Sequence, residues 1–129
     1  MIARLVTAVA GCAAVAAMVA PAGDAASAVR HPARILVYAQ EWSLWASRTT
    51  VPRGAVIVQL WNRGQDAHDL HVRRLDRHDR LVGHAQALGV TESGARGQTT
   101  WRLTPGRYEL YCSLPGHFRR GMHTIVVVH

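Results

Sequence analysis

Hydrophobic and polar residues alternate in short runs along the chain after residue 34, which is the pattern of half-buried β-strands. Val, Ile, Trp and Tyr favour strands and are frequent in these runs, and sequences containing Gly or Pro separate the runs. Residues 81–90 are predicted to form a short strand or one helical turn. The other predicted strands span residues 35–38, 42–47, 55–61, 68–75, 99–103, 107–112 and 122–128. Seven or eight strands at these intervals predict an all-β protein with a β-sandwich fold.

The connections between these runs are predicted to be short. Residues 51–54 and 62–64 are predicted turns, and residues 91–97 form a predicted loop rich in Gly and Ser. Trp42, Trp61 and Trp101 lie within strand-like runs, where burial is the usual outcome for an aromatic side chain, so we predict that they are in the core. The sequence shows no internal repeat and no second domain.

The first 28 residues, in contrast, have the pattern of a secretory signal peptide. Arg4 precedes an apolar run at residues 5–20, and the small residues at positions 26–28 fit a cleavage site. The run is too short and too rich in Ala to predict a membrane span. We therefore expect a signal peptide at residues 1–28, a leader at 29–33 and one domain at 34–129. The protein is expected in the periplasm or another extracytoplasmic space.

The two cysteines have different predicted fates. Cys12 ends the sequence Val-Ala-Gly-Cys, which is similar to the lipobox of bacterial lipoproteins, so a lipid anchor is the alternative to simple cleavage. The apolar run continues past Cys12, which favours cleavage near residue 28. Cys112 would then be the single thiol of an exported protein. Such a thiol cannot form an internal disulfide and is expected to react or to bind a metal.

The chain is strongly basic, with a formal net charge of +7, and all 15 of its basic residues are Arg. The net charge does not change on removal of residues 1–28, because Arg4 and Asp24 are lost together. A basic surface favours an acidic protein partner or an anionic membrane surface. Nucleic acid is not an expected partner, since the chain is predicted to be exported and has no nucleic-acid-binding motif.

The most informative motif lies in the predicted loop between the last two strands. Cys112, His117 and Met122 follow one another there at intervals of five residues and supply a thiol, an imidazole and a thioether. These groups together favour copper, and two His with one Cys and a weak axial Met form the trigonal site of electron-transfer copper proteins. The sequence therefore predicts a mononuclear copper site that takes a second histidine from elsewhere in the chain.

His68 and His71 are the two candidates for that second histidine. Leu70 and Val72 alternate along the predicted strand and are expected to face the core. His68 has the same parity and should point inward, whereas His71 has the opposite parity and should point to solvent. We expect His68 to be the ligand. His71 remains the alternative, because parity carries less weight if His68 belongs to the preceding loop.

The strand pattern and the ligand set together resemble the cupredoxins, the blue copper proteins of the plastocyanin and azurin kind. The resemblance covers about residues 34–128 and rests on residues 51–54, 62–72 and 103–122. It implies a Greek-key β-sandwich with copper at one end of the fold. It also implies His68, Cys112, His117 and Met122 as the copper ligands.

The resemblance implies roles for neighbouring residues as well. The exposed edge of His117 would be the electron port, within an apolar patch at residues 114–118. Many cupredoxins have Asn directly after the first His ligand, whereas this chain has Asp69. Asp69 can form a similar hydrogen bond to Ser113, and its negative charge would favour Cu(II) and lower the reduction potential. The alternative is that Asp69 faces water and has little effect.

The predicted function is that of an exported blue copper protein, not an enzyme, which carries single electrons as a monomer. Its partner would be a redox protein, and an acidic one is expected because Arg119 and Arg120 stand beside the predicted port. One alternative is a copper chaperone or buffer that uses the same ligands, but the chain lacks the Met-rich run typical of that class. The other is a copper-free cupredoxin-like binding module, against which the intact ligand set argues.

Overall fold

The computed structural model describes residues 31–129, and these residues form nine β-strands and one short 3-10 helix at Phe118–Arg120. The predicted signal peptide, its cleavage site and Cys12 lie outside the described residues. Within residues 31–129, no helix has the length and apolar character needed to cross a membrane. The strands are β1 (Ala33–Gln40), β2 (Ser43–Ala46), β3 (Thr50–Val51), β4 (Gly54–Asn62), β5 (His68–Leu75), β6 (Leu81–Thr91), β7 (Arg96–Leu103), β8 (Gly106–Tyr111) and β9 (His123–Val128).

The strands form two sheets, as the alternating pattern predicts. One sheet has the order β2-β1-β4-β7, and the other has the order β3-β9-β8-β5-β6. β1 runs parallel to β4 and β3 runs parallel to β9, whereas the remaining pairs are antiparallel. The predicted all-β sandwich is confirmed, with nine strands in the described residues in place of the predicted seven or eight.

The core lies between the two sheets and is built from every second residue of the central strands. In β4, for example, Val56, Val58 and Leu60 are buried, and the residues between them are more exposed. The facing sheet contributes apolar residues such as Leu70 and Leu110, both almost completely buried. Each such side chain stabilises the fold by about 1.5–3 kcal/mol relative to an exposed one, so this layer holds the strand ends in place.

Two regions differ from the prediction in detail. For residues 81–90 the strand alternative is confirmed and the helical turn is wrong, since these residues belong to β6, an 11-residue strand that extends to Thr91. β6 is the edge strand next to β5, its pairing with β5 shifts register twice, and most of its residues are at least partly exposed. It therefore lacks a regular apolar alternation. The predicted turn at residues 51–54 is shorter than expected, because Val51 belongs to β3 and pairs with Val128.

The tryptophan prediction is correct for Trp101, which is buried, and correct in part for Trp42, which is half-buried and packs against the core. It is wrong for Trp61, which is half-buried outside the core. Trp61 has the outward parity of β4, and its ring packs against that of Tyr38 at a tilt of 45°, with a centroid distance of 5.6 Å. The guanidinium of Arg96 lies 4.0 Å from the centre of the Trp61 ring, where a cation–π interaction is favourable. Trp42 lies in the turn between β1 and β2 instead of in a strand.

Candidate metal centre

The segments that carry the predicted ligands lie side by side at one end of the five-stranded sheet. His68 is the first residue of β5, Cys112 directly follows β8, and Met122 directly precedes β9. β8 lies between β5 and β9 in this sheet, so the three strand ends are neighbours. His117 comes from the loop between β8 and β9 and reaches the same place.

Backbone hydrogen bonds give this loop a closed shape. The amide of Cys112 donates to the carbonyl of Met122 at 3.0 Å, and the amide of Met122 donates to the carbonyl of His117 at 3.2 Å. Gly121 ends the 3-10 helix with a φ of 115°, a conformation that favours glycine. A Cβ at this position would also lie only 3.0 Å from the carbonyl oxygen of Trp42. The loop therefore holds Cys112, His117 and Met122 at fixed relative positions.

Three donor atoms converge where the loop meets β5. Nδ1 of His68 lies 3.3 Å from Nδ1 of His117, and Sγ of Cys112 lies 3.5 Å from the same His117 nitrogen. All three ligand atoms lie within 4.8 Å of one another. Two nitrogens bound at about 2.0–2.1 Å to one transition-metal ion are about 3.3–3.6 Å apart in tetrahedral to trigonal geometry. The spacing and the mixture of soft donors fit a single copper ion.

The other two candidate ligands are Met122 and His71. Met122 is completely buried in the core beside the loop, and its role as the axial ligand stays a prediction. His71 lies outside the donor cluster, with Nε2 located 3.3 Å from Oδ2 of Asp69 and its ring stacked on Tyr111. The structure therefore places His68, and not His71, with Cys112 and His117.

The environment of Cys112 favours its protonated form when no metal is bound. Burial is the main cause that raises the pKa of the Cys112 thiol above its usual value, and the negative charge of Asp69 acts in the same direction. Water does not reach this thiol, because Cys112 is completely buried. A bound cation reverses this preference, since coordination deprotonates a thiol.

Asp69 joins the two segments that carry the donors. The amide of Ser113 donates to Oδ1 of Asp69 at 2.6 Å, and the hydroxyl of Ser113 donates to Oδ2. Burial by itself would raise the pKa of Asp69, but the hydrogen bonds from Ser113 outweigh this effect and lower the pKa overall. Asp69 is therefore an ionised, buried carboxylate that bonds the loop to β5. The alternative, that Asp69 faces water, is wrong.

Glu41 is a neighbour of the cluster that sequence analysis missed. Its Oε1 lies 3.0 Å from Nε2 of His68, on the side of the ring opposite to the donor cluster. The backbone amides of Gln65 and Asp66 also donate to this carboxylate. The Asp66 amide is the main cause that lowers the pKa of Glu41 to about 2, so Glu41 is ionised. Glu41 precedes His68 by 27 residues and belongs to no motif.

Aromatic side chains surround the half-buried ring of His117. The Trp42 ring meets it edge-on with a centroid distance of 5.0 Å, and Arg120 lies 4.2 Å above the Trp42 ring. Phe118 is 38% exposed and stacks on His123. Residues 114–118 thus form part of an apolar rim, as predicted. The contribution of Trp42 could not be predicted, because it comes from the turn after β1.

Comparisons with known proteins identify the fold. No protein-family model matches the chain, and the curated proteins include no significant match. Auracyanin A, described as a blue copper protein from Chloroflexus aurantiacus, superposes with a TM-score of 0.60 at 13% sequence identity. The match covers 77% of this chain and 100% of auracyanin A. The chain has the cupredoxin fold.

Two further solved structures agree with this assignment. Auracyanin B matches with a TM-score of 0.60 and 19% identity, over 78% of this chain and 91% of its own. Rusticyanin from Thiobacillus ferrooxidans matches with a TM-score of 0.58 and 20% identity, over 74% of this chain and 76% of its own. The predicted resemblance to cupredoxins is confirmed for the fold, and the His-Cys-His cluster gives this cupredoxin fold a candidate copper site.

Proposed function

We propose that this protein is a blue copper protein that carries single electrons. The observation that carries the proposal is the convergence of His68 Nδ1, His117 Nδ1 and Cys112 Sγ within a cupredoxin fold. Bound copper would supply a one-electron couple between Cu(I) and Cu(II). We assign Met122, buried at the end of the same loop, as the weak fourth ligand.

The surroundings of the donors suit electron transfer because they limit movement. His68 and Cys112 are completely buried and stand at the ends of neighbouring strands. The Asp69–Ser113 hydrogen bonds and the backbone bonds of the loop hold the two donor-bearing segments together. Ligand side chains whose rotamers are fixed by packing and hydrogen bonds would change their geometry little between the Cu(I) and Cu(II) states. This favours rapid exchange of electrons over transfer of the metal.

A partner would dock beside His117, which is the least buried of the three donors. Phe118 and Trp42 give this surface an apolar centre, and Arg119 and Arg120 are exposed at its edge. The positive side chains and the net charge of +7 favour an acidic redox protein as the partner. We further propose that the protein is exported, on the pattern of residues 1–28, and that it acts as a monomer.

The visible spectrum of the purified protein after addition of Cu(II) tests the proposed function. We expect an intense blue band from charge transfer between thiolate and copper, lost in Cys112→Ser and His68→Ala and retained in His71→Ala. Bound copper without this band would contradict electron transfer and indicate a chaperone. Absence of copper binding would contradict the metal site and indicate a copper-free module.

A further inference from the structure

The Glu41 carboxylate is held in a site of its own between β1 and the turn before β5. Oε1 accepts a hydrogen bond from the amide of Asp66 at 2.8 Å, and Oε2 accepts one from the amide of Gln65 at 3.0 Å. Oε1 also lies 3.0 Å from Nε2 of His68. Both oxygens are therefore engaged, and the side chain is only 21% exposed.

The turn at residues 63–66 is shaped to admit this carboxylate. A Cβ at Gly64 would lie 2.2 Å from Oε1 of Glu41 and 2.7 Å from its Cδ, so any larger residue would displace the side chain. Asn62 braces the turn from inside, since its Nδ2 donates to the carbonyl of Asp66 at 2.7 Å and its Oδ1 accepts from the amide of Gly64. Asn62 is itself completely buried. The carboxylate is thus a built part of this turn and not a loose surface charge.

The contact with Glu41 indicates which nitrogen of His68 carries hydrogen. An ionised carboxylate can only accept hydrogen bonds, so Nε2 must be the donor. In a neutral imidazole, Nδ1 then carries the lone pair. Nδ1 is the atom that lies 3.3 Å from Nδ1 of His117 in the donor cluster. His68 is completely buried, so water does not compete for either nitrogen.

We propose that Glu41 is a positioning residue that fixes the tautomer and the ring orientation of His68, so that Nδ1 faces the metal site before any metal binds. The carboxylate does not touch the metal and acts through the histidine. Partners of this kind orient a ligating histidine and raise its basicity, and their loss typically lowers metal affinity about 10- to 100-fold. The expected loss of metal affinity rests on the proposed copper function. The tautomer of His68, in contrast, is a property of the metal-free protein.

The first test is therefore made without metal, by long-range 1H–15N NMR of the histidine rings in the wild type, Glu41→Ala and Glu41→Gln. We expect a single Nε2–H tautomer of His68 in the wild type. Glu41→Gln should retain it, because the side-chain carbonyl still accepts from Nε2. Glu41→Ala should show a mixture or the Nδ1–H tautomer. An unchanged tautomer in Glu41→Ala, with native backbone amide shifts, would overturn the proposal.

The second test measures Cu(II) affinity by competition with a chelator. We expect about a 10- to 100-fold loss in Glu41→Ala and a smaller loss in Glu41→Gln. Asp79→Asn is the matched control, because Asp79 is exposed at the far turn after β5 and its replacement removes the same charge. Its affinity should equal that of the wild type. An equal loss in Asp79→Asn and Glu41→Ala would overturn the proposal, since the effect would then be one of net charge.

Two outcomes separate this inference from the proposed function. If the wild type binds no copper, the proposed function fails, and the NMR comparison still decides the role of Glu41. If Glu41→Ala does not fold, the Glu41→Gln variant tests the role of Glu41 in its place. A Gln variant with the wild-type tautomer and reduced affinity would support the inference, and one with a changed tautomer and full affinity would overturn it.

Discussion

Removal of the Ser113 hydroxyl should destabilise the metal-free protein by a predictable amount. The hydroxyl and the amide of Ser113 both donate to Asp69, whose side chain is 8% exposed. A hydrogen bond to a charged group contributes about 1.5–3 kcal/mol. Ser113 is exposed, so water can replace part of its bond, and the lower end of this range applies. We expect Ser113→Ala to lower the free energy of unfolding by about 1.5 kcal/mol.

The partner variant Asp69→Ala should cost more, because it removes the acceptor of both donors. The expected loss is about 3 kcal/mol. In the double variant the missing hydroxyl has no acceptor to lose, so its loss should equal that of Asp69→Ala alone. The double-mutant cycle should then give a coupling energy of about 1.5 kcal/mol between Asp69 and Ser113.

Urea unfolding of the metal-free variants, followed by tryptophan fluorescence, measures these free energies. Ser43→Ala is a matched control, because Ser43 is exposed on the outer face of β2. Its stability should lie within about 0.5 kcal/mol of the wild type. A coupling energy below about 0.5 kcal/mol would refute the reasoning, since neighbours that share a bond are expected to be non-additive.

Three other predictions follow from the same structure. Asp69→Asn should raise the midpoint potential of the copper-loaded protein, because a negative charge that favours Cu(II) is lost, and a fall in potential would contradict this. Replacing Arg119 and Arg120 together with Glu should slow association with an acidic redox partner at low salt more than at high salt, and rates indifferent to both would place docking elsewhere. The third prediction concerns acid stability. The amide of Arg80 is the main cause that lowers the pKa of Asp76 in the turn after β5. A carboxyl with a lowered folded pKa stabilises above its unfolded pKa, which is near 3.8, and this contribution is lost as the pH falls through the folded pKa. The thermal midpoint of the wild type should therefore fall more steeply below about pH 4 than that of Asp76→Asn, and equal slopes would contradict this.

The strands were largely predictable, because most of them have one buried and one exposed face. The predicted bounds of β5, residues 68–75, agree with the structure at both ends. β6 was not predictable in the same way, since an edge strand with two register shifts has no regular apolar face. Trp61 was misassigned because the prediction used its residue type and not its parity in β4.

The residues of the candidate metal centre likewise include some that the sequence predicted and some that it did not. Cys112, His117 and Met122 lie within one loop, so their spacing alone predicted a shared site, and parity favoured His68 over His71. Glu41 and Trp42 contact these residues from the turn after β1, at large separations along the chain. Their sequence surroundings contain no motif that indicates such contacts.

The strand faces and the chemical types of the donors follow from local sequence, because both are properties of alternation and residue type. Which side chains surround these donors depends on the tertiary structure. The parallel pairing of β1 with β4 places Glu41 against the turn before β5. That contact, not the identity of His68, determines which imidazole nitrogen faces the site. Strand order and register arise from packing between distant segments, and a local pattern does not encode them.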